Sequence, residues 1–306
     1  MEIRSGHAKV GDDLELYYED LGNPGDPPVL LIMGLGAQLL LWRDGFCEQL
    51  VQRGLRVIRY DNRDVGLSSK LDGQRAGGSQ YASMLRSFVG RPSPAVYTVE
   101  HLADDGAALL DHLGIERAHV VGASMDGMIA QVLAARHAHR TASLGVIFSS
   151  NNQALLPPPA PKALFSVIKG PEPGSPRDVI VDNSVRVWRI IGSPAYPAPE
   201  DRLRRDAEEA YDRSYYPVGV ARHFGAVLGS GSLRHYDRRI TAPTVVIHGK
   251  ADRLMRPSGG RAIARNIPGA RLVLFPGMGH ELPEPLWEPI VAELAANISA
   301  GVASAG

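Results

Sequence analysis

The sequence predicts a doubly wound α/β protein on a mostly parallel sheet, and three observations carry that reading. Short Val-, Ile- and Leu-rich runs recur along the chain: VLLIM (29–33), RVIRY (56–60), HVVGA (119–123), LGVIFSS (144–150), TVVIH (244–248) and RLVLF (271–275). Apolar residues follow one another in these runs without alternation, the pattern of strands buried on both faces of a parallel sheet. Helix-like stretches separate them, and strand–helix alternation folds into layered α/β architecture. The third observation is bulk: 306 residues, 44% apolar and 22% charged, supply material for one large core, with room for an inserted subdomain.

The elements follow in order. HAKV (7–10), the turn-prone GDD (11–13) and LELYYEDL (14–21) read as a β-hairpin that extends the sheet antiparallel. VEHLADDGAALLDHLG (99–114) places Leu102, Leu109, Leu110 and Leu113 near one helical face, with Gly114 as a stop. About ninety residues separate the strand ending near Ser150 from the one starting near Thr244, too many for one crossover helix. The core is therefore expected over 1–150 and 240–306, with a helical cap inserted over 151–239, before the strand that leads to the candidate acid described below. This insert opens on NNQALLPPPAPKA (151–163), read as an extended linker. It continues through three helix-like stretches at 175–191, 200–216 and 218–228. A cap fits over the carboxyl edge of the sheet, where open α/β sheets bind ligands. No internal repeat is visible.

Charge and cysteine content exclude several classes. Lys plus Arg (33) balances Asp plus Glu (33), and no basic run occurs, so attraction to nucleic-acid phosphates is not built in. Cys47 is the only cysteine, which rules out an intramolecular disulfide or a cysteine-built metal site. The acidic opening residues lack a signal-peptide pattern, and the longest apolar run (29–42) is broken and too short to span a bilayer. A cytoplasmic protein with a small neutral or apolar ligand is expected, its oligomeric state left open.

The chemistry centres on GASMDG (122–127), which sits between a predicted strand and the helix-like MIAQVLAARH (128–137). A serine on such a tight turn exposes its hydroxyl above a helix N-terminus, and Ser124 is the candidate nucleophile. A serine hydroxyl needs a base to take its proton and a carboxylate to orient that base. The best-placed histidine is His280, in the Gly- and Pro-rich loop FPGMGHELPEP (275–285) after the last strand. The best-placed acid is Asp252, in GKADRLMRP (249–257), where TVVIH ends.

With these residues in place the chain resembles the α/β-hydrolases across nearly its whole length, and within them the capped carboxylesterases related to aclacinomycin methylesterase. The matching pieces are LLIMGLG (30–36), YDNRDVGLS (60–68), YTVEHLADD (97–105), GASMDG (122–127), HGKAD (248–252) and GMGHELP (277–283). The order Ser124, Asp252, His280 is that family's nucleophile, acid and base order. The resemblance implies those three roles, and an oxyanion hole formed by the backbone amides of Leu35 and Met125. Two departures stand out. Met33 precedes Gly34 where the family often has His-Gly, and Asp126 replaces the last glycine of Gly-x-Ser-x-Gly, leaving Gly127 one place later. A carboxylate there complements the helix dipole, yet it is expected to alter packing at the turn and, as an anion, to weaken oxyanion stabilisation.

Other residues invite structural readings. Asp61 in YDNRD rivals Asp252 but is read as pinning a loop. His248 is expected to be a packed core histidine; His119 begins its strand at the far edge. His101, His112, His137 and His139 are on helices, solvated or capping, while His223 and His235 belong to the cap region. No HExxH spacing or acidic cluster points to a metal. Cys47 reads as a small buried hydrophobe. GLGAQL lacks the third glycine of a dinucleotide loop and no GK[ST] occurs. The arginines of RLRRDAEE (202–209) read as a solvated face, and Val185, Trp188 and Ile191 as a packing stripe.

The expected activity is serine carboxylester hydrolysis through an acyl-enzyme, with no cofactor. Small to medium uncharged, apolar esters are the expected substrates, because the cap and the stretch from Leu39 to Trp42 are apolar. Activity is expected to fall in acid, where a protonated His280 cannot serve as base. Two alternatives share the sequence: a thioesterase or C–C bond hydrolase on the same fold, and a low-turnover binding protein in which Asp126 alters the nucleophile turn.

Overall fold

The computed structural model describes residues 2–77, 80–172 and 174–303. Residues 1, 78, 79, 173 and 304–306, inside the ranges expected for core and cap, lie outside this set.

The chain opens with a hairpin, β1 (Ile3–Gly11) and β2 (Leu14–Leu21), in which only Ala8 of β1 is fully buried. Then follow β3 (Pro28–Ile32), α1 (Asp44–Val51), β4 (Arg56–Tyr60), α2 (Gln80–Phe88), α3 (Val99–His112), β5 (Ala118–Ala123), α4 (Met125–Arg136) and β6 (Thr141–Ile147). Helices α5 (Pro161–Ile168), α6 (Arg177–Ile191), α7 (Glu200–Arg213), α8 (Pro217–Ser230) and α9 (Arg234–Asp237) form the insert. The sheet closes with β7 (Thr244–Gly249), α10 (Pro257–Asn266), β8 (Arg271–Phe275) and α11 (Trp287–Ala303).

Eight strands lie in the order β1-β2-β4-β3-β5-β6-β7-β8, with β1 and β2 antiparallel and β3 to β8 parallel. The doubly wound α/β reading holds. The unbroken apolar runs serve two cores at once: Leu30, Ile32, Val120 and Val146 pack with α3 and α4, while Val29, Leu31, Val121 and Ile247 pack with α1 and α11. Truncating one such leucine to alanine costs about 2–5 kcal/mol.

Some boundaries differ from the expectation. Strand β6 starts at Thr141 and ends at Ile147, three residues before LGVIFSS at both ends. Its polar start hides a buried pairing, in which Ser143 Oγ meets His119 Nδ1 at 2.9 Å on β5. Phe148, with φ 35°, turns the chain out of the sheet. Helix α5 begins inside the stretch read as linker: Pro161 sits in its first turn, where a missing N–H costs nothing.

The insert has a small cluster of its own, Val181, Val185, Leu203 and Ala207, with Trp188 packed against it. Val185 and Trp188 of the stripe are thus packing, Ile191 is buried outside that cluster, and the 202–209 arginines make ion pairs, such as exposed Arg205 with Asp201 at 2.6 Å. Ala226 of α8 and Tyr236 of α9 join the sheet core instead. No helix among the described residues is long and apolar enough to cross a membrane.

Candidate active site

Strand β5 stops at Ala123 and α4 starts at Met125, so Ser124 alone makes the turn, at φ 60° and ψ −127°. For a non-glycine residue this is strained backbone, and it persists only where the surroundings impose it. Three bonds do so: Ser124 N–H to Ile147 O (3.0 Å), Gly127 N–H to Ser124 O (3.1 Å) and Ser149 Oγ–H to Ser124 O (2.6 Å). Two glycines permit the close approach. A Cβ on Gly122 would lie 2.1 Å from Asp126 O, and one on Gly127 would lie 2.5 Å from Ser149 Cβ.

The place of Asp126 follows from this. The packing task expected of the missing glycine falls to Gly122 and Gly127, and the Asp126 side chain turns away from β6 into the interior. There it is fully buried, and its Oδ2 accepts 2.8 Å from Asn62 Nδ2, which also donates to Met33 O at 3.3 Å. Burial pushes this carboxyl well above the usual range, opposed only by the Asn62 bond. The surroundings thus disfavour the charged form of Asp126 on which the expected effect on an oxyanion rested.

Asp252 and His280 reach Ser124 from the loops after β7 and β8. His280 Nδ1–H donates to Asp252 Oδ2 at 2.8 Å, and Ser124 Oγ–H donates to His280 Nε2 at 2.9 Å. The three residues chosen from the sequence are thus in one hydrogen-bonded line. Burial pushes the Asp252 carboxyl up, but the His280 charge and the bonds from His248 and His280 outweigh it and hold it at about 2. Its Oδ1 accepts from Leu254 N–H (2.9 Å) and Met255 N–H (2.8 Å). Gly249 lets the two loops meet, since a Cβ there would lie 2.2 Å from Met278 O. The Phe148 ring sits 4.8 Å from the imidazole.

The stretch 34–37 lies beside the serine. A Cβ on Gly34 would lie 3.1 Å from Ser124 Cβ. Ala37 N–H donates to Gly34 O at 3.0 Å and Gly36 has φ 64°, a turn with Leu35 at its first corner, whose amide the closing bond leaves unused. Met125 is the first residue of α4, and its amide has no intrahelical acceptor. One amide thus follows Ser124 directly in the chain, and the other lies on the turn next to Gly34, which packs on the serine.

Other sequence readings sort as follows. Asp61 pins loops, accepting from Leu39 N–H (2.8 Å), Leu67 N–H (2.9 Å) and Arg213 (2.7 Å). Cys47 is buried and its thiol is pushed up to about 12 by that burial, against nearby Arg59. His248 is a buried core histidine, donating from Nε2 to Met255 O at 2.7 Å, but that Nε2 also lies 3.5 Å from Asp252 Oδ2. Sequence reasoning missed this contact, although the four-residue spacing 248 to 252 was a usable signal. His223 was missed too: it is fully buried, with Nδ1 3.2 Å from Gly36 N and Nε2 2.8 Å from Arg63 O. Among the described residues no group of three His, Cys, Asp or Glu could hold a metal ion. Leu39 and Trp42, which suggested an apolar ligand, are core residues with no exposure.

A sequence profile of the alpha/beta hydrolase fold family matches residues 27–284. The chain belongs to the α/β-hydrolases. This α/β-hydrolase is 31% identical to the rhodomycin D methylesterase of Streptomyces peucetius, over 95% of this chain and 97% of that one. It is 30% identical to the rhodomycin D methylesterase of Streptomyces sp. strain C5, over 94% and 96%. It also resembles the enol-lactonase of Burkholderia xenovorans LB400 in structure, with a TM-score of 0.71, 23% identity and coverage of 95% and 99%, a likeness of fold. The protein is an enzyme of the hydrolase class, and its methylesterase relatives agree with carboxylic ester hydrolysis.

Proposed function

We propose that this α/β-hydrolase is a serine carboxylester hydrolase acting through Ser124, His280 and Asp252. The observation that carries the reading is the unbroken line from Asp252 through His280 to the hydroxyl of a strained Ser124. His280 Nε2 takes the hydroxyl proton as Ser124 Oγ attacks the ester carbonyl, and Asp252 holds the ring and stabilises its charged form. The amides of Leu35 and Met125 receive the developing oxyanion. His280 then returns the proton to the leaving alcohol, and water repeats the sequence to release the acid. We read residues 151–239 as a cap over this edge, and residues 1–150 and 240–306 as the hydrolase core.

Uncharged, apolar esters of small to medium size remain the proposed substrates. With Leu39 and Trp42 in the core, the support comes from Phe148 and Val220, apolar residues close to the imidazole and to the turn at 36. A cytoplasmic place is part of the same proposal, in keeping with the lone, buried Cys47.

Fluorophosphonate labelling with peptide mapping tests the mechanism. A single adduct on Ser124, absent in Ser124→Ala, is expected; no adduct, or one elsewhere, overturns the reading in favour of a binding protein. Rates on paired oxygen esters, thioesters and vinylogous C–C substrates then test the class. Faster turnover of either of the last two would replace ester hydrolysis with that chemistry.

A further inference from the structure

The histidine on α8 contacts the active-site turn from a segment that no catalytic role yet includes. Gly36 N–H points at His223 Nδ1 (3.2 Å), and Arg63 O faces Nε2 (2.8 Å). A backbone N–H can only donate and a carbonyl can only accept, so the ring is the neutral tautomer with its proton on Nε2. Burial holds that ring neutral, drawing its pKa down to about 4, while the Arg63 carbonyl and Asp64 oppose the shift and Arg222 and Arg63 reinforce it. The Tyr97 ring lies edge-on at 6.1 Å, which fixes the imidazole plane. The same helix covers the turn: a Cβ on Gly36 would lie 2.7 Å from Val220 Cγ2.

We infer that His223 is a positioning residue for the oxyanion loop, holding the 34–37 turn from the cap so that the Leu35 amide stays aimed at the substrate carbonyl oxygen. The inference rests on the proposed oxyanion role of Leu35. Its physical basis is preorganisation: a donor contributes to catalysis in proportion to how little it must reorient when charge develops. The turn's own closing bond orients the Gly34–Leu35 peptide within the turn, because Gly34 O accepts it, but it does not hold the turn as a whole against the rest of the site. His223 Nδ1 supplies the missing anchor at Gly36, and Arg63 O anchors the ring in turn. Residues 187 positions apart in the chain thereby share one element of the site.

Three substitutions separate positioning from simple support of the fold. His223→Asn places a carbonyl oxygen near the position of Nδ1; His223→Gln reaches the Nε2 position but leaves Gly36 without an acceptor; His223→Leu supplies neither. With p-nitrophenyl acetate, kcat is expected to fall about 10- to 100-fold in H223Q and H223L with KM changed less than about twofold, and H223N is expected to recover most of the loss. Affinity for a trifluoromethyl ketone inhibitor, which loads the oxyanion site, is expected to track kcat. Hydrogen exchange at the Gly36 amide is expected to be slow in the wild type and H223N and fast in H223Q. Equal kcat in H223N and H223Q, or a Gly36 amide that stays protected in H223Q, overturns the inference. Should the variants not fold, the wild type still decides it: a through-hydrogen-bond nitrogen–nitrogen coupling between Gly36 and His223 Nδ1 is expected, and its absence overturns the clamp. A wild-type protein that shows the coupling but hydrolyses no ester sinks the proposed function and leaves the contact standing.

Discussion

Replacing Asp252 with asparagine tests the catalytic line most sharply, because the surroundings dictate how the amide must sit. Asp252 Oδ1 receives two backbone donors, Leu254 N–H and Met255 N–H, and Oδ2 receives His280 Nδ1–H. An asparagine keeps its carbonyl oxygen toward the two backbone donors and thus presents its NH2 to the imidazole. His280 must then accept at Nδ1 and carry its proton on Nε2, where it can no longer take one from Ser124. Flipping the amide to restore the productive tautomer strands two buried backbone donors, at about 1–3 kcal/mol each. The productive form therefore lies about 2–6 kcal/mol uphill, which predicts a loss of about 30- to 25,000-fold in kcat at about 1.36 kcal/mol per decade. Amide replacement at the corresponding acid of a serine protease sits toward the top of that range. Steady-state hydrolysis of p-nitrophenyl acetate gives the rate, and nitrogen NMR of His280 gives the tautomer. Activity within about tenfold of wild type, or a proton on Nδ1 in D252N, refutes the reasoning.

Three further substitutions address the buried charges. Asp126→Asn replaces a carboxyl whose burial disfavours the charged form with an amide that still accepts from Asn62, so kcat is expected to stay within about threefold of wild type; a loss beyond about tenfold shows that the carboxyl takes part. The raised Asp126 pKa means that the folded state holds its proton to higher pH than the unfolded chain does. Stability of the wild type relative to D126N should therefore decline as pH rises above the unfolded value. Asp237 behaves alike: burial, opposed by a 2.7 Å bond from Asn151, raises it to about 7. Its penalty grows from pH about 4 to 7 toward a ceiling on the order of 4 kcal/mol, so urea melts of D237N should lose that pH dependence, and an unchanged slope refutes the assignment. Arg222→Met strips Asp64 of a bidentate partner at 2.7 Å on both oxygens. Both side chains are buried, and breaking such a pair from one side costs about 3–5 kcal/mol; a change below about 1 kcal/mol in urea unfolding would mean that Asp64 finds other donors.

The cluster of the three proposed reacting groups was legible because each sits at a strand end that local sequence announces. Ser124 follows an unbroken apolar run and precedes a helix, while Asp252 and His280 lie in Gly- or Pro-containing loops after two more such runs. The direction of Asp126 was not legible. Whether a residue in the first turn of α4 faces β6 or the β4 loop depends on where Asn62 lies, and 64 positions separate the two. The reach of His223 to Gly36 was hidden for the same reason, since an insert's helices carry packing periodicity but no register against the core. Helix α2 escaped because the glycines and serine just before it suppress a helical reading. Helix α5 escaped because Pro161 marks a first turn as readily as a linker.

The insert touches both loops that the chemistry needs, which limits how it can move. On the base side, His280 N–H donates to Ile191 O (2.8 Å), Gly279 N–H to Ser193 Oγ (2.9 Å) and Ser193 N–H to Glu281 Oε1 (2.5 Å). Gly279 is required there, since a Cβ would lie 2.2 Å from Gly192 O. On the opposite side, α8 holds the turn through His223 and the β4 loop through Arg222. With a fourth bond, Ala195 N–H to Gly277 O (3.3 Å), lifting α6 and the residues after it from the base loop costs about 4 kcal/mol at about 1 kcal/mol net per bond and leaves about one molecule in 900 open. Lifting α8 also breaks the buried Asp64–Arg222 pair and costs more. Opening by either route disturbs His280 or the 34–37 turn, so a molecule with the insert raised lacks part of the proposed catalytic site. Substrate entry that leaves α6 and α8 seated therefore preserves activity; α7 is held as well, by Arg213 on buried Asp61 (2.7 Å) and Gln38 on Ala210 O (2.6 Å), so the freer portion of the insert has to be sought in α5, which makes none of these contacts.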